Sequence, residues 1–280
     1  MKFYTNVQLI GNQVLVRGVD NGQRYEYRDE FCPTLFVKTK KNSKYRTLSG
    51  ESVEPIKPGS VRDCREFYKK YDEVDGFAIY GNDRYIYQYI SEKYPENEIK
   101  FDINQIKLVT LDIETTAEYG FPDVESAAEE ILAITIQDYT TKQIITWGQR
   151  PFLNKQKNVT YHHCPTEQEL LNHFISYWMQ DVPDVVTGWN IQLFDIPYIC
   201  KRLNRVLGEK LMKRFSNWGL VTEGEIYIQG RKHVTFDVGG LTQLDYLDLY
   251  KKFTYKAQES YRLDYIAEVE LGQKKLDHSE

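Results

Sequence analysis

Cysteine is scarce and scattered in this chain: Cys32, Cys64, Cys164 and Cys200 form no C-x-x-C pair. That spacing excludes a dense disulfide framework and a zinc site built on paired thiolates. The five histidines do not supply one. Their tightest cluster, His162-His163-Cys164, falls in an expected loop before a helix and is not read as a zinc site. No apolar run approaches the roughly 18 residues that a spanning helix needs. The opening Met1-Lys2-Phe3-Tyr4-Thr5-Asn6-Val7 lacks the apolar core of a signal peptide. A cytoplasmic setting with no membrane partner is therefore expected. Basic excess is also missing, with 36 Lys and Arg against 41 Asp and Glu and a formal net charge of -5. Attachment to nucleic acid by bulk charge is excluded, and only local basic faces remain.

What is present points to a packed, two-part protein. The 280 residues correspond to roughly two domains at about 150 residues each. Apolar residues make up 41% and charged residues 28%, enough for packed cores under a solvated surface. Aromatic content reaches 14%, with 22 tyrosines, which suits sheet and core formation and only weakly suggests base stacking.

The first hundred residues read as a small sheet-rich domain, 1–101. Short alternating runs at 7–10, 14–17 and 24–27 are separated by turn signals such as Asn21-Gly22, and 34–37 adds a strand. The basic stretch through Lys38, Lys40, Lys41, Lys44 and Arg46 reads as a solvated loop or edge strand, with a nucleic-acid contact as the alternative. An amphipathic helix is expected over 63–72, and Pro95-Glu96-Asn97-Glu98 marks a break. The second domain, 102–280, alternates strands and helices. Residues 107–114 form a strong strand, with 131–136 and 143–147 as its expected antiparallel neighbours. Thr166-x-x-Glu169 is a capping signal for a helix, 184–189 is another short strand, and a helix follows from about Pro197. This order implies a mixed α/β fold of ribonuclease-H-like type, with a mixed central sheet.

Two features carry chemistry. Asp112 and Glu114 are two apart on an apolar strand, so both face one side, about 6.7 Å apart along the strand. Two carboxylates there can share a divalent ion, or simply form a wet strand face. Asp195, in Trp189-Asn190-Ile191-Gln192-Leu193-Phe194-Asp195, is expected at the end of a short strand and the start of a helix, where an ordinary N-cap is the alternative. A basic run, Lys201, Arg202, Arg205, Lys210, Lys213 and Arg214, reads either as a phosphate-tracking face or as a solvated helix face.

The strand D-x-E followed by Asn190-x-x-x-Phe194-Asp195 resembles the Exo I and Exo II motifs of the proofreading exonucleases in family B DNA polymerases. The resemblance continues through Ile196-Pro197-Tyr198-Ile199, Met212-Lys213-Arg214-Phe215, 244–253 and 263–268, and is greatest to the amino-terminal and exonuclease regions of polymerases from large tailed bacteriophages. It implies that Asp112, Glu114 and Asp195 are catalytic ligands of a two-metal Mg²⁺ or Mn²⁺ site, with one ligand missing from this chain. It also implies that Phe121 stacks on bases near a primer's single-stranded 3' end, against the alternative of a core phenylalanine. Asn190 and Phe194 join it in contacting DNA. A hairpin around Gln229-Gly230-Arg231 brings Arg231 and Lys232 to phosphates, or leaves them on a solvated turn.

In the family a Tyr-x-x-x-Asp motif follows Exo II and supplies the fourth carboxylate. No tyrosine after Asp195 has an aspartate four places on, and the polymerase motifs are absent too. The chain is expected to stop some tens of residues short of a complete site. It is then either part of a longer polymerase or one product of a split gene, and its partner is the remaining polymerase portion. A binding module for single-stranded DNA, or for RNA through residues 1–101, is the alternative to an enzyme.

Overall fold

The computed structural model describes residues 1–95, 99–118 and 120–274. The expected break at 95–98 and the polar end of the chain lie partly outside these residues. Contacts divide the chain into two units, Met1–Gln105 and Ile106–Glu280.

The first unit carries two sheets. Strands β1 (Lys2–Ile10), β2 (Gln13–Asp20) and β3 (Gln23–Glu30) form an antiparallel meander in chain order. The central strand β2 buries Val14, Leu15, Val16 and Val19, whereas β3 alternates exposed and half-buried positions. β4 (Leu35–Lys38), β5 (Tyr45–Arg46), β6 (Ser52–Ile56) and β7 (Ile79–Tyr80) make a second sheet in the order β5-β6-β4-β7. The basic stretch thus runs from the end of the interior strand β4 through a loop to the edge strand β5, and Lys38 and Lys41 pair with Glu51 and Glu54. Helix α1 (Val61–Tyr71) opens with a reciprocal capping box between Ser60 and Asp63. It joins α2 (Tyr85–Lys93) over a core containing Val61, Cys64, Tyr85 and Tyr89.

The second unit is built on a six-stranded mixed sheet. Its strands are β8 (Leu108–Thr115), β9 (Ile131–Asp138), β10 (Ile144–Gly148), β11 (Val159–His163), β12 (Val185–Gly188) and β15 (Thr242–Asp245), in the order β11-β10-β9-β8-β12-β15. β8 pairs antiparallel with β9 and parallel with β12, and β10 pairs antiparallel with β9. The expected mixed α/β architecture is met. One local expectation is not: His162 and His163 belong to a parallel edge strand, β11, rather than to a loop. His162 stacks on Trp147 with ring centroids 5.7 Å apart, and Cys164 is buried.

Helices α3 (Glu167–Trp178) and α4 (Asp195–Leu207) pack on this sheet, followed by the short α5 (Glu209–Met212). Thr166 caps α3 through its hydroxyl, which accepts from the Glu169 amide. α3 buries Leu170, Leu171, Phe174 and Trp178, and α4 buries Ile196, Ile199 and Leu203. Strands β13 (Val221–Ile228) and β14 (Arg231–Val238) form a separate antiparallel hairpin. Its two-residue turn has Gln229 at φ 49° and Gly230 at φ 77°, the double left-handed conformation that matches hairpin twist. Arg231 therefore opens β14, opposite Ile228, and lies outside the turn itself. Helices α6 (Tyr246–Phe253) and α7 (Leu263–Leu271) complete the described chain. Among the described residues no helix is long and apolar enough to cross a membrane.

Candidate active site

β8 places the two carboxylates as its alternation demands. Val109, Leu111 and Ile113 are buried, while Thr110, Asp112 and Glu114 are exposed on the opposite face. A register shift against β9 falls between Glu114 and Thr115, a bulge of the kind that re-aims side chains at the end of a strand. On the other side of β8, Gly188 lets β12 come unusually close. A Cβ on Gly188 would lie 2.6 Å from the Leu111 carbonyl oxygen, one residue from Asp112.

Asp195 is brought to the same strand from the opposite direction. It is the first residue of α4, only 3% exposed, and its Oδ1 accepts a 3.1 Å hydrogen bond from the Ile113 amide. That amide lies between Asp112 and Glu114 in sequence, so Asp195 is anchored to the stretch of β8 that carries both carboxylates. Burial is the main cause of a rise in the Asp195 pKa to about 8, and the negative charge of Asp112 adds to it. The Ile113 hydrogen bond opposes the rise only in part. The alternative of an ordinary N-cap is not met, because Phe194 holds the cap position without a side-chain cap bond; the Asp195 carboxyl is instead held where ionisation is unfavourable unless positive charge arrives. Among the described residues no group of three His, Cys, Asp or Glu side chains is closed around a point that could hold a metal ion.

The loop before Asp195 is held by a residue that motif reading passed over. Asp245, at the end of β15, accepts hydrogen bonds from the Asn190 and Gln192 amides, each at 3.0 Å. The same carboxylate caps α6 by accepting from the Leu247 amide at 3.0 Å. Asn190 has φ 64°, a left-handed conformation that asparagine tolerates better than most residues. An aspartate just before a helical run is a legible cap signal, but its second role across the loop is not local in sequence.

The loop that leads into Asp195 lines a cleft of about 650 Å³ through Asn190, Leu193 and Phe194. Phe121, Asn190, Phe194, Arg231 and Lys232 all line it, so the structure gathers at one place every residue that the resemblance assigned to DNA. Phe121 is 87% exposed, which overturns the alternative of a core phenylalanine. Its ring is 5.4 Å from that of Phe194. Arg231 is exposed on the rim, whereas Lys232 pairs with Glu225 at 2.8 Å and reaches Glu125 at 3.5 Å.

Four of the six cations in the basic run at 201–214 have protein partners. Arg202 is buried against Glu167, Lys201 pairs with Glu223 at 2.7 Å, and Lys213 pairs with Glu209 at 2.7 Å. Arg205 spends its guanidinium on the carbonyls of Ser126 and Ala127. Sequence alone shows six cations close together; the fold turns Arg202 and Arg205 onto other segments and gives Lys201 and Lys213 glutamate partners.

Comparisons with known proteins bear on the same region. The family model "DNA polymerase family B, exonuclease domain" matches residues 82–266. Across 99% of its length the chain is 32% identical to the DNA-directed DNA polymerase of Enterobacteria phage T4 and 30% identical to that of Escherichia phage RB69. It is also 29% identical, over 67% of its length, to DNA polymerase 037L of Invertebrate iridescent virus 6. The chain spans only 33% and 34% of the two phage polymerases and 16% of the iridescent virus protein.

Proposed function

This chain belongs to the exonuclease domain family of the family B DNA polymerases, and from that premise we propose that it removes mispaired nucleotides from the 3' end of a primer. The observation that carries this reading is the meeting of Asp195 with the Asp112–Glu114 stretch of β8, at the end of a loop that lines a cleft shared by Phe121, Phe194 and Arg231. Exonuclease domains of this family generally depend on divalent metal. The donors here suit that requirement: all are carboxylate oxygens, preferred by hard cations, and Asp195 is disfavoured as an anion until positive charge offsets its burial. Asp112, Glu114 and Asp195 would hold Mg²⁺ or Mn²⁺, with a fourth carboxylate from the remaining polymerase portion. When bound, two such ions polarise the scissile phosphate, activate a water and stabilise the leaving 3' oxygen.

The chain's own side chains do the positioning. Phe121 and Phe194 offer an aromatic face to the terminal bases, a contact that tolerates any sequence, as the removal of arbitrary mismatches requires. Arg231 meets the phosphate backbone from the rim, and Lys232 contributes positive charge tempered by Glu225 and Glu125. Asn190 lines the cleft with its backbone fixed by Asp245. The units Met1–Gln105 and Ile106–Glu280 would act as a sheet-rich amino-terminal domain and an exonuclease domain, in the cytoplasm of an infected host. The names of the relatives concern DNA, and the RNA expectation for residues 1–101 gains no support from them.

Asp112→Ala is expected to abolish metal-dependent trimming of a single-stranded oligonucleotide when the chain is joined to its polymerase portion. Unchanged trimming would sink the catalytic assignment. A purely binding module is separated by titration: Mn²⁺ should raise the melting temperature of the chain, and Asp112→Ala should remove that rise.

A further inference from the structure

Helix α4 does more than begin at Asp195. Its side chains reach the main chain of the segment that links Phe121 to β9. Arg202 Nη1 donates to the Ala127 carbonyl at 2.9 Å and the Ala128 carbonyl at 3.3 Å. Arg205 donates to the Ala127 carbonyl at 2.7 Å and the Ser126 carbonyl at 2.6 Å. Tyr198 Oη donates to the Glu129 carbonyl at 2.8 Å. One helix therefore holds four consecutive carbonyls, 126–129. Glu167, at the start of α3, completes the arrangement. It binds Arg202 through both carboxylate oxygens, and its Oε1 also accepts from the Ile131 amide at 2.9 Å.

The held segment is not relaxed backbone. Ala127 is buried with φ 40°, a left-handed conformation that costs a residue with a Cβ free energy. Such a conformation persists where surrounding contacts over-determine it, and two guanidinium groups on the Ala127 carbonyl do so here. Upstream, Asp123 ties the segment to itself by accepting from the Ser126 amide at 2.7 Å. Phe121 lies just before Asp123 and meets Phe194, the residue preceding α4. The residue that leads into this helix thus touches the exposed aromatic, and the helix grips the segment behind that aromatic along its length.

We propose that Arg202 and Arg205 are positioning residues, which fix segment 126–129 so that Phe121 is presented beside Phe194 to the terminal base of single-stranded DNA. This rests on the function proposed above. Carboxylate and aromatic would then be placed by one rigid element, so the base that stacks is the one whose phosphate reaches Asp195. A pair that only stabilised the fold would leave the stacking geometry alone when its exposed member, Arg205, is removed.

The test uses the full chain in the absence of divalent cation, with a single-stranded oligonucleotide ending in a 3' base analogue whose emission falls on stacking. Loss of one aromatic stack is worth about 5- to 150-fold in affinity, which sets the expectation for Phe121→Ala. Arg205→Ala should weaken binding by about fivefold and lose part of the quench, at the lower end of that range because the ring remains. Arg205→Lys, which can still donate to a carbonyl, should recover most of both. Arg205→Ala with unaltered affinity and quench, alongside a weakened Phe121→Ala, would overturn the positioning role. An unmodified chain that does not bind, or a Phe121→Ala that binds as well, would overturn the functional reading itself and this inference with it.

Discussion

Arg202 and Arg231 belong to elements that contact each other, α4 and β14, and the fold uses them in opposite ways. Arg202 is 5% exposed, forks onto Glu167 and donates to two carbonyls. Arg231 opens a hairpin strand on the cleft rim and faces solvent. Asp195 belongs with Arg202, buried and perturbed; Lys213, in an exposed pair with Glu209, is nearer to Arg231. A charge taken out of water must be saturated by partners, and it then becomes a tie between segments. A charge left on a rim keeps its hydration and stays available to a ligand.

Breaking the buried side should have the largest effect. Arg202→Ala is expected to cost about 3–5 kcal/mol of stability, because Glu167 is left as an unpaired buried charge. Arg231→Ala should shift stability by less than about 0.5 kcal/mol. Chemical denaturation midpoints of the two variants would show whether the contrast holds; equal midpoints would remove it.

Asp195 sharpens the contrast through pH. Its pKa is raised by folding from an ordinary 3.8 to about 8, so between those values the folded chain holds a proton that the unfolded chain has released. Stability from this group is therefore greatest below about pH 4 and declines as pH rises toward 8, by at most about 1.4 kcal/mol per pH unit. Asp195→Asn, neutral at every pH, should stabilise the metal-free chain, and its advantage should widen from pH 5 to pH 8 in thermal melts. A constant difference would show that burial does not set this carboxyl's state.

The rim is tested by salt. Arg231→Ala should lower the slope of log affinity against log salt for single-stranded DNA by about 0.7, the share of one phosphate contact. Lys213→Ala should leave that slope unchanged and cost no more than about 0.5 kcal/mol of stability, as expected for an exposed i,i+4 pair. A Lys213 effect equal to that of Arg231 would return the 201–214 run to the binding surface.

Much of the site was legible because it depends on local periodicity. The alternation of β8 puts Asp112 and Glu114 on one face whatever the partner strands, and Gln229-Gly230 marks a hairpin turn by itself. Asp195 reads as a helix start for the same reason. Asp245 carries a cap signal, yet its hold on Asn190 joins residues 55 positions apart. The basic run stayed open between two readings for a related cause. Tyr198, Arg202 and Arg205 share a helix face by spacing, but nothing in the spacing says that this face meets the carbonyls of 126–129.

By itself the sequence determined which side chains share a strand face, where α3 and α4 begin, and the order of motifs that identifies the family. These follow from backbone geometry and from hydrogen bonds that span a few residues. Tertiary structure alone decided that Arg202 is a tie and Arg231 a rim charge, that Asp195 titrates far above an ordinary carboxyl, and that Phe121 stands exposed against Phe194. Those properties depend on how much water each group loses, and desolvation is set by segments that meet only after the chain has folded.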